Sequence, residues 1–537
     1  MNLSNVRAVT KHLPHGFGMR WLAVLLLLAV AVQAQTPAFR WAARSGGTED
    51  DFGNAIAVDA QGNCYVTGSF SGVAHFGMAN YGAINWSGNA GQVLTTRGFS
   101  DIFIAKYDKN GGIVWIKQAG GEGEDYARGI ALDSEGNCYV TGYFYSSTAT
   151  FGGVTLARTG TCDLFTAKYD ASGNCLWAKQ AGGGGGAFGY AIAVDTAGNA
   201  YVTGSYFNNL TFEGNTLTNA GFADAVVAKY DRDGYFMWAR QAGSVSDDSG
   251  NGIAVDGAGN VYVTGNFSRT LRFGHSSISS GERPTIFNAK FDTNGKFLWG
   301  SQISASRACY GRAIGVDALG NCYITGSISG DVSIGDRAGD KNFFPRLPSS
   351  GSMRSEKECP DSVSAPRPDV KKARETVNTP VNRHGDMDHT DILIVKLDTN
   401  GRQQWVRTAG GSKPTAESGF AIAVDPVGNS YVAGNFSGRA RFGGTAIISS
   451  AVEDIFISQY DRHGNLIWLR QAGGPSGEPH GAYGIAIDPA GNSYITGYVR
   501  REPSFGNIDL RSNFNVRNTG DADIFIARLG LTFFPPR

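Results

Sequence analysis

Excess charge of either sign is what this chain most clearly lacks. Lys plus Arg and Asp plus Glu both number 47, so the formal net charge is zero. Nucleic-acid binding draws on a basic field that releases counterions, and this composition supplies none, so nucleic acid is set aside as a partner. Histidine is scarce, with eight residues, and two of them, His12 and His15, precede the N-terminal apolar run. None recurs in register, and His75, His275, His463 and His480 fall in expected loops. There is no Gly-x-Ser-x-Gly elbow, His-Glu-x-x-His pair or phosphate-binding loop. These absences argue against an enzyme and give no catalytic residue and no cofactor site. They do not dispose of a site assembled from loops of different repeats. Seven cysteines, an odd and scattered set, argue against a disulfide-built scaffold. Cys64, Cys138 and Cys322 each precede a Tyr at one repeat position and read as small strand residues rather than metal ligands.

Long hydrophobic runs are missing after the first few dozen residues. The one present, Trp21 to Val32, follows Lys11 and Arg20 and leads into Val32-Gln33-Ala34. A basic segment, a short apolar segment and small residues describe a secretory signal peptide, here residues 1–34. The run is short for a bilayer span, so no membrane span is expected in the mature chain. The expected address is secreted or cell envelope: periplasm, cell surface or extracellular.

Glycine is abundant, at 75 residues, and it marks a repeat. Ala55-Ile-Ala-Val-Asp59 passes through a turn to Gly62-Asn63-Cys64-Tyr65-Val66-Thr67-Gly68. The block returns as 129–142, 191–204, 252–265, 313–326, 421–434 and 484–497, with its aspartate at 59, 133, 195, 256, 317, 425 and 488. A second block follows each copy, as in Asp101-Ile-Phe-Ile-Ala-Lys-Tyr-Asp108, a turn at Gly111, then Trp115. A Phe-Gly pair, such as Phe76-Gly77 or Phe151-Gly152, lies between the blocks. Alternation of β-branched and aromatic residues makes four strands per unit. Radially repeated four-stranded units are propeller blades, which must stack because none buries both faces alone. The expected fold is all-β, a seven-bladed β-propeller over residues 35–530, with the tryptophan strand outermost and small residues beside the inner-strand Ile where blades approach. Repeat seven ends at Asp523-Ile-Phe-Ile-Ala-Arg-Leu529 without its tryptophan strand, and the orphan Phe39-Arg40-Trp41-Ala42-Ala43 stands at the N-terminus. The N-terminal strand is thus expected to complete the last blade and close the ring, removing two sheet edges.

The motifs Asp-x-x-Gly-Asn-x-Tyr-Val-Thr-Gly and Asp-x-Phe-x-Ala-Lys-Tyr-Asp-x-x-Gly, followed by Trp, resemble the bacterial SBBP family, a seven-bladed β-propeller repeat, over about residues 39 to 530. The inner hairpin is also similar to that of NHL-type propellers. The resemblance implies exported or surface proteins and carries over no catalytic residues.

The recurring aspartates are read as turn residues that accept bonds from turn amides, with Gly62 and Asn63 tolerating positive φ. The recurring lysine, as at Lys106 and Lys168, is read as an amphipathic strand residue with its head in water, and a pairing with the third-strand Asp101 or Asp163 would be weak if exposed. Two stretches break the pattern. An insertion in blade five, about residues 336–390, is rich in Pro, Ser and charge and is expected to be disordered. Its His384, Asp386, Asp388 and His389 are weak metal candidates whose spacing matches no standard site. An extension from Met78 to Ser100 carries Tyr81 and Trp86, possible loop binding anchors or cover for the blade edge. A short tail, residues 531–537, follows.

The expected function is a secreted, non-enzymatic binding or scaffold propeller, a monomer that engages a protein or polysaccharide ligand. One alternative is an extracellular glycan lyase or hydrolase with a loop-built site at the channel mouth. Another is a structural cell-surface protein.

Overall fold

The computed structural model describes residues 36–77, 91–335, 390–411, 416–475, 477–501, 503–509 and 522–530, and among them every regular element is a β-strand. The expected signal peptide, the insertion and the C-terminal tail lie outside the described residues, apart from Thr390 at the insertion's end. Strands Ala187–Val194, Ala200–Phe212, Asn215–Tyr230 and Phe236–Ala242 pair in chain order as one antiparallel sheet. The same pairing order recurs in the other repeats, and the tryptophan strand is always the outer one. In the last repeat the outer place beside Asp523–Gly530 is taken by the N-terminal strand Ala38–Gly47, with Ala42 opposite Ala527.

Local chemistry explains each corner. Asp59 Oδ1 accepts from the amides of Gln61 and Asn63 at 3.0 and 2.8 Å, and Oδ2 accepts from Asn63 Nδ2 at 2.8 Å. Gly62 turns the chain at φ +84°, where a side chain would be strained. The third-strand turns repeat the device, with Asp108 Oδ1 accepting from the amides of Asn110 and Gly112. These carboxylates are spent on their own turns, which is why the residue recurs.

Between the second and third strands the chain folds into a small hairpin headed by the Phe-Gly pair, as in Thr148–Phe151 with Val154–Ala157. This hairpin reaches the outer strand of the preceding sheet, where Ala119 pairs with Phe151 and Gly120 with Thr150. The phenylalanine, Phe76, Phe151 or Phe442, is fully buried. The hairpin therefore covers a sheet edge that would otherwise be open to another chain.

Three contacts bind each sheet to the next. The first is a close approach of the first strands: a Cβ on Gly252 would stand 2.9 Å from the Ala313 Cα, and one on Gly129 3.1 Å from the Ala191 Cα. The second is the tryptophan. Trp115 donates its indole N–H to the Ala171 carbonyl at 3.0 Å, and a Cβ on Gly173 would lie 2.9 Å from its ring. The third is the buried tyrosine of the second strand. Tyr139 donates to the Gly198 carbonyl of the following turn at 2.9 Å while Lys168 Nζ sits 4.8 Å from its ring.

That third contact corrects the expectation for the lysines. Lys168 is 4% exposed, Lys229 and Lys290 are buried likewise, and each lies over a tyrosine face. Lys168 pairs with the turn carboxylate Asp133 at 3.6 Å, not with the third-strand aspartate. The tyrosine face, a turn carboxylate and the Arg232 carbonyl together replace water around the ammonium. Cys64, Cys138 and Cys322 are buried thiols within strands, as expected. His75, expected in a loop, lies in the strand Cys64–Phe76.

Trp41, in the N-terminal strand, meets Gly111 and donates to the Lys109 carbonyl at 3.0 Å, the contact that Trp115 makes one repeat later. Trp41→Ala removes a buried indole and its bond and is expected to cost about 3–5 kcal/mol in denaturant unfolding. Trp41→Phe, which keeps most of the ring, is expected to cost about 1–2 kcal/mol for the lost hydrogen bond. Equal losses would contradict the clasp described here.

Candidate functional site

Every first strand carries a register break at the same place. In Phe52–Val58 it falls between Gly53 and Ala55, in Asp125–Leu132 between Ala127 and Gly129, and in Gly481–Ile487 between Ala482 and Gly484. The skipped residues are Asn54, Arg128, Tyr190, Asn251, Arg312, Phe420 and Tyr483. A bulge takes its extra residue out of the ladder and re-aims the side chain. The flanking residues are all Gly or Ala, since the neighbouring strand leaves room for nothing larger.

These side chains meet one another. The Arg312 guanidinium lies 5.8 Å from the Phe420 ring, and Phe420 packs edge-on against Tyr483 at 5.2 Å. Burial pushes the Tyr483 phenol up to about 12, and the charges of Arg128 and Arg312 oppose that rise. Arg312, Phe420 and Tyr483 come from three successive repeats and form one continuous contact. Arg128 donates to the Tyr143 hydroxyl at 3.0 Å, and the rings of Tyr126 and Tyr143 each lie 5.6 Å from its guanidinium. Burial works against the Arg128 charge, but the phenols of Tyr143, Tyr190 and Tyr126 outweigh it and hold the group above its ordinary value. Burial takes Arg312 below its own, against Tyr310 and Tyr483.

An aromatic layer continues behind Arg128. Tyr143 packs against Phe188 at 4.9 Å and Phe188 stacks on Tyr190 at 6.2 Å. Two asparagines fix neighbouring strands, Asn54 donating to the Ala127 carbonyl at 2.9 Å and Asn251 to the Gly311 carbonyl at 2.8 Å. On the far side Glu453 accepts from Asn435 Nδ2, and burial raises its carboxyl above the usual range. The buried phenols of Tyr483 and Tyr498 both feel its charge. The arrangement brings together two cations, flat apolar faces, amides and one buried acid.

The sequence-level candidates fall elsewhere. Tyr81, Trp86, His384, Asp386, Asp388 and His389 lie outside the described residues. The set of bulge residues was missed, although the repeats carry its signal: one position inside the most regular strand changes from Asn to Arg to Tyr to Phe while its flanks stay Gly or Ala.

A second set of titratable groups is buried where sheets meet. Gly120, at φ +130°, lies between Asp101 of one repeat and Asp125 of the next; a Cβ there would be 2.6 Å from Asp101 Oδ1 and 2.7 Å from Asp125 Oδ2. Burial raises both carboxyls. Burial raises Asp51 as well, with Asp523 adding to it, and lifts Asp248 to about 7 with help from Asp224. In the last repeat the place of Asp125 is taken by His480, which burial lowers to about 4 against the pull of Asp454. The third-strand aspartates thus face the start of the next sheet rather than the lysines.

Comparison with known proteins agrees with the repeat. The SBBP model, described as a beta-propeller repeat, matches residues 114–143, 176–205, 238–266 and 467–498. Each match runs from an outer tryptophan strand into the inner hairpin of the next sheet. An uncharacterized WD repeat-containing protein of Acanthamoeba polyphaga mimivirus is 22% identical over 573 residues, 91% of this chain. The chain spans 38% of that protein's length. Among solved structures, a protein of unknown function from Bacteroides caccae aligns with a TM-score of 0.26 at 11% identity, over 57% of this chain and 89% of that one. A luciferin-regenerating enzyme aligns with a TM-score of 0.31 at 8% identity, over 89% and 92%.

The buried acids set a pH dependence. A carboxyl raised in the folded state holds its proton more tightly there than when unfolded, so its contribution grows as pH falls through the folded value and is lost as pH rises through it. With Asp248 near 7, stability is expected to rise by about 1 kcal/mol between pH 8 and pH 6.5 from this group alone. Urea unfolding of Asp248→Asn across that window should show a flatter profile. An unchanged slope would remove Asp248 as its source.

Proposed function

Because the chain is an SBBP beta-propeller repeat protein, we propose that it forms a closed seven-bladed ring and serves as an exported binding module whose ligand site lies on the central axis. Three observations support the ring. The N-terminal strand completes the last sheet through Ala38–Gly47 against Asp523–Gly530. Trp41 repeats at that junction the clasp made elsewhere in the chain. The first strand of the first repeat packs against the first strands of both the second and the last repeats. Export rests on the apolar N-terminal segment, whose expected destination is the cell envelope or the medium.

The observation that carries the binding reading is the contact between bulge residues of successive repeats, Arg312 against Phe420 and Phe420 against Tyr483. Strand-borne side chains held by bulges on a rigid wall are ordered before any ligand arrives, which limits the entropy lost on binding. Aromatic and arginine side chains are the ones that most often anchor protein and ligand contacts. We assign the module to carbohydrate or protein ligands.

A second reading, an extracellular glycan lyase or hydrolase, draws on Glu453. Burial favours the neutral form of this carboxyl beside the phenols, a bias that suits a general acid. It is separable from binding by mutation. Glu453→Gln should abolish polysaccharide cleavage, read as loss of chain length, and leave binding intact.

The binding reading is tested by thermal melting of the full chain against soluble polysaccharides. A ligand at a hundredfold excess over its dissociation constant adds about 2.7 kcal/mol. The shift should vanish in Phe420→Ala/Tyr483→Ala. A shift that persists there would move the site off the axis, and no shift with any polysaccharide would leave protein partners as the ligand class.

A further inference from the structure

We infer that the axial ring recognises a carboxylate-bearing sugar, a uronate unit of an acidic polysaccharide, with Arg128 taking the carboxylate; this rests on the axial binding site proposed above. Arg128 is half-buried, yet none of the ion pairs among the described residues includes it. Its hydrogen bond is to a neutral phenol, Tyr143, and its other neighbours are ring faces. Phenol and ring faces compensate a desolvated guanidinium only in part. A guanidinium carries five N–H donors in a planar fork, and a carboxylate is the anion whose two coplanar oxygens match that fork. The bulge ring adds a second cation, Arg312, and its other members, Asn54, Tyr190, Asn251, Phe420 and Tyr483, bring no negative charge.

The surroundings select a sugar as the carrier of that carboxylate. A pyranose presents a face of C–H bonds, which packs against the electron-rich face of an aromatic ring. Phe188 and Tyr190, both partly exposed, offer such faces, and the buried Tyr143 and Tyr126 link them to Arg128. Asn54 and Asn251 each donate to a backbone carbonyl, which fixes two further amide groups with hydrogen-bonding capacity left for sugar hydroxyls. With net charge zero over the chain, attraction of an anion is local to this ring rather than a property of the whole surface.

The test is calorimetric titration of the full chain with an oligogalacturonate, its methyl ester, a neutral glucan oligomer, a sulfated glucan oligomer and poly-glutamate. The oligogalacturonate is expected to bind at least tenfold more tightly than its ester, which differs only in the charge. Arg128→Ala should erase that difference, while Arg232→Ala, on an exposed turn, should keep it. The comparison of acid with ester needs no variant and stands even if Arg128→Ala fails to fold. Equal binding of acid and ester, or tight binding of the glucan, overturns the uronate assignment and leaves the glycan-binding reading standing. Tighter binding of the sulfated oligomer or of poly-glutamate overturns the carboxylate or the sugar, respectively. No binding of any carbohydrate overturns both this inference and the glycan reading on which it rests.

Discussion

The rest of the molecule depends on how closely the first strands approach. Where a Cβ on Gly252 would stand 2.9 Å from a neighbouring Cα, nothing larger than the residues present can be inserted without pushing two sheets apart. That constraint fixes Gly or Ala at one position of every repeat. It leaves the inner strands little side-chain volume of their own, so the burial that stabilises the sheets comes from farther out, from the Ile, Phe, Tyr and Trp of the second, third and fourth strands. It also accounts for the bulges. A strand pressed against its neighbours on both sides can present a large side chain only by taking one residue out of the ladder.

Scaffold and site therefore follow different rules within one strand. The scaffold positions are nearly identical from repeat to repeat, because each satisfies a local demand: a carboxylate for a turn, a glycine under an indole, a tyrosine reaching the next turn. The bulge position meets no such demand and is free to vary. The buried aspartates at the junctions are intermediate. They recur only in part: the place of Asp125 is held elsewhere by Ala187, Cys309, Glu417 and His480, so it demands no fixed charge.

The all-β class, the four-strand unit, the outer place of the tryptophan strand and the turn role of Asp59 were all legible in the sequence, because each rests on a local pattern repeated in register. The lysines were misread. Lys168 alternates like a solvent-facing residue, and its burial comes from a tyrosine of its own sheet and a carbonyl of the next one, relations that strand periodicity does not encode. The Phe-Gly hairpin was seen as a motif but not as a stitch between sheets, since its partner strand lies in the preceding repeat. The bulge residues were missed for a related reason. Alternation counts residues, and a bulge shifts the count by one.

The pairing of Ala38–Gly47 with Asp523–Gly530 has a kinetic side. All the other repeats lie between the two strands in the sequence, so the first waits with its ladder unsatisfied until the whole of that intervening chain has been made. Intermediate sheets can form as they emerge, but the final one has a very long loop to close, and loop closure of that kind is slow. Until it happens the strand and the incomplete sheet are each open to pairing with another copy. A holdase that shields both strands until they can meet would suit this architecture better than folding as each repeat emerges.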